Sequence, residues 1–146
     1  MAIAATDAAD RVDQLIRLTE RLTGLLATEA TAYEARRPHE VASQVEETAR
    51  LANAYRHESA RIKADPSLVA SASAPARERL IRATEAFEAV LARHGRALHA
   101  AKAVAEGLVQ AIAQEVADAR AAISPYQAGG RQAPANASAI TLNRTA

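Results

Sequence analysis

The sequence predicts an all-α fold: an antiparallel bundle of three main helices, with a long third helix and a flexible C-terminal tail. Three observations point to it. Alanine supplies 40 of the 146 residues, and alanine has the lowest helix cost of any residue. The aromatic residues are only Tyr33, Tyr55, Phe87 and Tyr126, so the residues that fill pleated surfaces are scarce. Apolar residues recur at steps of three and four over three long stretches, the spacing that lines one face of a helix.

Helix 1 is expected over residues 7 to 37, where Val12, Leu15, Leu18, Leu22, Leu25 and Leu26 fall on one side. Arg36 and Arg37 suit the negative end of a helix, and Pro38 disfavours helical dihedrals in the residue before it. Pro38 then fits the first turn of helix 2, whose missing N–H costs nothing there. Helix 2 should run to about Ala64 with Val41, Val45, Thr48, Ala52, Tyr55 and Ile62 on its packing side. "DPSLVASASAP", residues 65 to 75, reads as an interhelical loop with room for one helical turn. Helix 3 should start at Pro75, carry Leu80, Thr84, Phe87, Leu91, His94, Leu98, Ala101, Ala105, Leu108 and Ile112 in heptad steps, and stop before Pro125. Residues 1–126 thus form the helical domain. Residues 127–146, rich in Gly, Pro, Ala, Asn and Ser, are expected to be a flexible tail, because they cannot bury enough surface to offset the entropy of ordering.

Several function classes are disfavoured by composition. The 18 Lys and Arg residues against 17 Asp and Glu are interspersed, which leaves no basic field for a nucleic-acid backbone. No cysteine is present, so there is no disulfide framework or thiolate chemistry. The first residues, "MAIAATDAADRVDQ", have neither a basic n-region nor a sufficient apolar run for a signal peptide or membrane span. A cytoplasmic location without membrane insertion is the expectation.

Catalytic motifs are absent: no phosphate loop, HExxH pair, nucleophile elbow or catalytic cysteine occurs. We therefore expect no enzyme and no cofactor. Glu46, Glu47, Glu78, Glu85 and Glu88 stand among arginines at helical spacing, as on a solvated, salt-bridged face. His94 and His99, five residues apart, do not share a face as metal ligands would, and no metal site is expected. "HAAKA", residues 99 to 103, resembles the phosphorylated helix of histidine phosphotransfer domains, with Lys102 one turn from His99 and a small residue after it. His94 lies on the heptad stripe and reads as a packed, hydrogen-bonded interface residue.

One feature of helix 3 is functional in character. At ~1.5 Å per residue it should be roughly 70 Å long against roughly 40 Å for helix 2, so its cover should run out near Lys102. Beyond that level Leu108, Val109, Ile112, Val116 and Ile123 still present an apolar stripe, and a contiguous patch of this kind marks an interaction site. Self-association through the stripe, as in a helical adaptor, and folding back of the tail are alternatives to an external partner.

The helix lengths and the sequence "SPYQAGG" resemble the FlgN family of flagellar export chaperones, whose last long helix leads into a tyrosine–glycine turn. The match runs from Ala103 through Glu106, Gly107, Leu108 and Val109 to Tyr126, Gly129 and Gly130; in helices 1 and 2 only the leucine pattern agrees. The resemblance implies a cytosolic type III export chaperone that binds the C-terminal segments of hook-associated proteins and delivers them to the export apparatus. It implies that the C-terminal part of the long helix binds them, which makes Ala105, Leu108, Val109, Ile112, Val116, Ile123 and Tyr126 the expected contact residues.

Overall fold

The computed structural model describes residues 3–128. Its helices are α1 (Ala8–Glu34), α2 (Val45–Ala64), the single turn α3 (Ser67–Ala70) and α4 (Ala74–Ala128), with a 3-10 turn at Pro38–Val41. The chain divides into two units at the Val104/Ala105 boundary, and α4 contributes residues to both. The expected tail, 127–146, lies outside the described residues except for its first two positions.

Asp7 caps α1, its carboxylate accepting the Asp10 N–H at 2.8 Å, while Asp10 accepts the Thr6 N–H at 3.0 Å. The first bond satisfies one of the unpaired donors at the helix start, and the second ties the residue before the cap to the first turn. At the other end the helix stops three residues earlier than expected. Arg36 takes φ 59°, Arg36 N–H donates to Tyr33 O at 3.0 Å, and Arg37 N–H donates to Ala32 O at 2.8 Å. These two bonds form a Schellman closure, in which a left-handed residue normally filled by glycine satisfies the last carbonyls. An arginine there costs roughly 1–2 kcal/mol. Pro38 accordingly opens a separate 3-10 turn, and α2 begins only at Val45.

Within the first unit α1 is the central element. Val12, Leu15, Ile16, Leu22, Leu25 and Leu26 are all buried. Helix α2 runs antiparallel to it: Glu58 near the end of α2 pairs with Arg11 near the start of α1, and Glu47 meets Arg21 at 2.8 Å. The first part of α4 returns parallel to α1, with Ala76 and Leu80 against Val12 and Ile16, and Phe87 against Leu22 and Leu26. Leu51 and Tyr55 of α2 close over Phe87, the Tyr55 and Phe87 rings lying 4.6 Å apart. The three main helices form the expected antiparallel bundle.

Three details of the packing stripes differ from expectation. Leu91 and Leu98 are 45% and 46% exposed, and the inward positions are Val90 and Ala97. Leucine and valine at adjacent positions are not distinguished by hydropathy, and the crossing of α1 and α2 selects the face one residue back. On α2, Val45 and Ala52 face outward while Ala54 and Glu58 face in. The Glu58 carboxylate can be buried because Arg11 meets it and Arg61 reaches it at 3.3 Å. Finally, α4 continues across Pro125 to Ala128, where a proline near the last turn forfeits a backbone bond without dividing the helix.

The core assignment makes a clean contrast. Phe87→Ala should destabilise the bundle by about 3–5 kcal/mol, whereas Leu98→Ala should cost about 1 kcal/mol or less. Denaturant titration of the two variants measures this, and equal losses would place Leu98 in the core.

Candidate interaction surface

The polar side chains best placed for chemistry meet at Glu29, which is 3% exposed. One carboxylate oxygen accepts the Thr48 hydroxyl at 2.6 Å and the Gln44 amide at 3.4 Å; the other faces His94 Nε2 at 2.9 Å. The Tyr33 ring lies 5.7 Å from the His94 ring. Burial first, and then the Glu29 charge, raise the Tyr33 phenol above its ordinary value. Each member of this cluster is engaged by its neighbours, which is the arrangement of a packed structural network. His94 therefore has the interface role expected from its place on the stripe.

A shallow cleft of about 430 Å³ is lined by Ala27, Thr28, Thr31, Ala32, Arg37, Glu40 and Val41. Its threonine hydroxyls donate to Gly24 O and Ala27 O, and Arg37 pairs with Glu40 at 3.0 Å. Among the described residues no group of three His, Asp or Glu side chains is arranged to hold a metal ion. No described helix is long and apolar enough to cross a membrane. His99 and Lys102 are both on exposed positions of α4.

The second unit carries the apolar surface. Every residue from Lys102 to Ile123 is exposed. Leu108 is 61% exposed, Val109 66% and Ile112 53%, with Val116 and Ile123 also open to solvent. At 3.6 residues per turn these five and Ala105 fall on one side of the helix. The structure thus places six of the seven expected contact residues on one exposed face. The side chain of the seventh, Tyr126, lies outside the described residues. Sequence reasoning passed over Val104, which is 51% exposed at the end of the first unit, because the stripe was followed through Leu98 and Ala105 rather than through Ala97, which lies seven residues before it.

What the face can do follows from its chemistry. Its apolar residues follow helical spacing, the i, i+3, i+4 and i+7 pattern by which amphipathic helices in general present anchors.

Comparison with known proteins identifies a relative of similar length. The chain is 62% identical, over 149 aligned positions covering 100% of both chains, to the protein named flagellar basal-body protein FlbY of Caulobacter vibrioides. No family model and no solved structure matches it.

The exposed His99–Lys102 pair allows the phosphorelay alternative to be tested directly. Incubation with a phosphodonor kinase should give no label that disappears in His99→Gln. Stable labelling that depends on His99 would assign the chain to phosphotransfer.

Proposed function

We infer that this chain, which belongs to the family of the flagellar basal-body protein FlbY, serves flagellar assembly as an export chaperone of the FlgN type. In this reading residues 105–126 cover an amphipathic C-terminal helix of a hook-associated protein in the cytoplasm and release it at the type III export apparatus. The observation that carries it is the exposed apolar face of Leu108, Val109, Ile112, Val116 and Ile123. A client helix with its own apolar stripe associates prematurely when uncovered, and docking two such faces is favourable by ~25 cal/mol per Å² before ordering costs. Reversible capture needs only a few such side chains, and no catalytic group takes part.

The relative's name favours a second reading, in which the chain stays with the basal body and the same face holds a neighbouring structural component. The two readings differ in the partner recovered. A chaperone brings down unexported hook-associated protein from the cytosolic fraction; a basal-body component brings down purified basal bodies.

Replacing Leu108 and Ile112 together by Asp tests the surface. These side chains are exposed, so the variant should melt like the parent chain. Setting two carboxylates against an apolar helix costs several kcal/mol unless they find partners, and each 1.4 kcal/mol is a factor of ten in affinity. Capture of the C-terminal segment of a hook-associated protein should therefore be lost in calorimetric titration. A variant that unfolds would make the face part of the core, and one that binds unchanged would move the site elsewhere.

A further inference from the structure

Among the described residues glycine stands at positions 24, 95 and 107, each inside a helix and each exposed. A glycine in a helix interior either makes room for a neighbour that a Cβ would push away or only weakens the helix. The structure decides between the two. At all three positions a Cβ would meet no atom within 4 Å, so alanine fits without displacing anything. The glycines serve no packing, and each makes its turn of helix harder to hold than alanine would.

The consequence of that weakening depends on what else holds the turn. Beside Gly24, the side chains of Leu22, Leu25 and Leu26 are buried. Around Gly95, Arg93 donates to Glu34 at 2.9 Å, His94 meets Glu29 at 2.9 Å and Ala97 is buried. Tertiary contacts hold both of these turns, which open only together with the bundle.

No buried side chain flanks Gly107. It is the third residue of the second unit, which begins at Ala105, and its neighbours from Lys102 to Ile123 are all exposed. Starting a helix is costly and extending one is cheap, so helical order in this stretch is an extension of the covered part of α4. To reach Leu108 and the residues beyond it, that order has to pass Gly107, the residue of lowest helix propensity between Ala97 and Ile123. Nor is the glycine placed to admit a helix against the apolar face. At about 100° per residue it lies on the side of α4 opposite to Val109, Val116 and Ile123.

We propose that Gly107 is a built-in weak point at which α4 loses helical order locally while the bundle stays folded. Residues 104–111 open and close as a segment of their own. A partner that recognises the helical form of the Leu108–Ile123 stretch has its apparent affinity scaled by the fraction of chains in which that form exists, whatever the partner is. Position 107 sets that fraction.

The test needs no partner. Amide exchange is followed residue by residue on the full chain and on two variants, Gly107→Ala and Gly95→Ala, which make the same change in the uncovered and in the covered part of α4. In the parent chain residues 104–111 should exchange well before residues 85–97. Gly107→Ala should slow exchange at 104–111 about fivefold, equivalent to ~1 kcal/mol of helix stability. The effect should fade towards Ile123, where opening can start beyond the glycine. Gly95→Ala should leave exchange at 104–111 unchanged, because a local opening there keeps residue 95 helical. Unchanged exchange at 104–111 in Gly107→Ala, equal slowing there by Gly95→Ala, or parental exchange at 104–111 as slow as at 85–97 would overturn the proposal.

Discussion

A single buried carboxylate, Glu29, holds all three main helices at once. It stands on α1 and engages Thr48 of α2, Gln44 just before α2, and His94 of α4. A carboxylate so deeply buried is tolerated only when hydrogen-bonded, and removing one partner leaves buried hydrogen-bonding capacity unmet at a cost of about 1–3 kcal/mol. Slippage of any one helix breaks those bonds, so the cluster sets the register in which Phe87 fits between Leu22, Leu26, Leu51 and Tyr55. The Arg11–Glu58 pair does the same nearer the other end of α1. Between these two polar ties the apolar core needs only ordinary leucine and valine packing.

Register in turn decides which part of α4 is covered. Helix α1 has 27 residues and α2 has 20, while α4 has 55. Among the residues of α4 whose burial is described, the last buried one is Ala97, Ala101 is half-buried, and from Lys102 to Ile123 every residue is exposed. A helix without tertiary cover is marginal in water and relies on alanine-rich propensity. The exposed stretch has that propensity, yet it also carries large apolar side chains that propensity does not require. Their presence is what the proposed function accounts for, and the family relationship is to a flagellar basal-body protein.

The face of α1 was legible in the sequence because Val12, Leu15, Leu22, Leu25 and Leu26 leave no other periodic solution. Its start was placed within one residue from the apolar spacing alone, and the structure adds the cap, Asp7, whose short side chain reaches the third helical N–H. Its end was hidden, because a left-handed arginine at position 36 has no sequence signature of the kind glycine gives. Leu91 and Leu98 were assigned to the core because an alanine-rich helix offers neighbouring stripes of similar hydropathy, and only the crossing of α1 and α2 chooses between Leu91 and Val90. Glu29 and Glu58 were not singled out in the sequence, and their burial depends largely on partners distant along the chain, Thr48 and His94 for Glu29 and Arg11 for Glu58. The exposure of Leu108, Val109, Ile112 and Val116 was visible beforehand, since the third helix was expected to outrun the other two even though their exact bounds were not.

The central claim is that residues 105–123 are uncovered in the free chain and covered by a client. Amide hydrogen exchange on the full chain measures it segment by segment, because protection tracks local opening. Alone, the amides of residues 76–101 should be strongly protected and those of 105–123 should exchange far faster. Addition of the C-terminal segment of a hook-associated protein should slow exchange in 105–123 and leave 76–101 nearly unchanged. Strong protection of 105–123 in the free monomer, or exchange there that the client does not alter, would contradict the account.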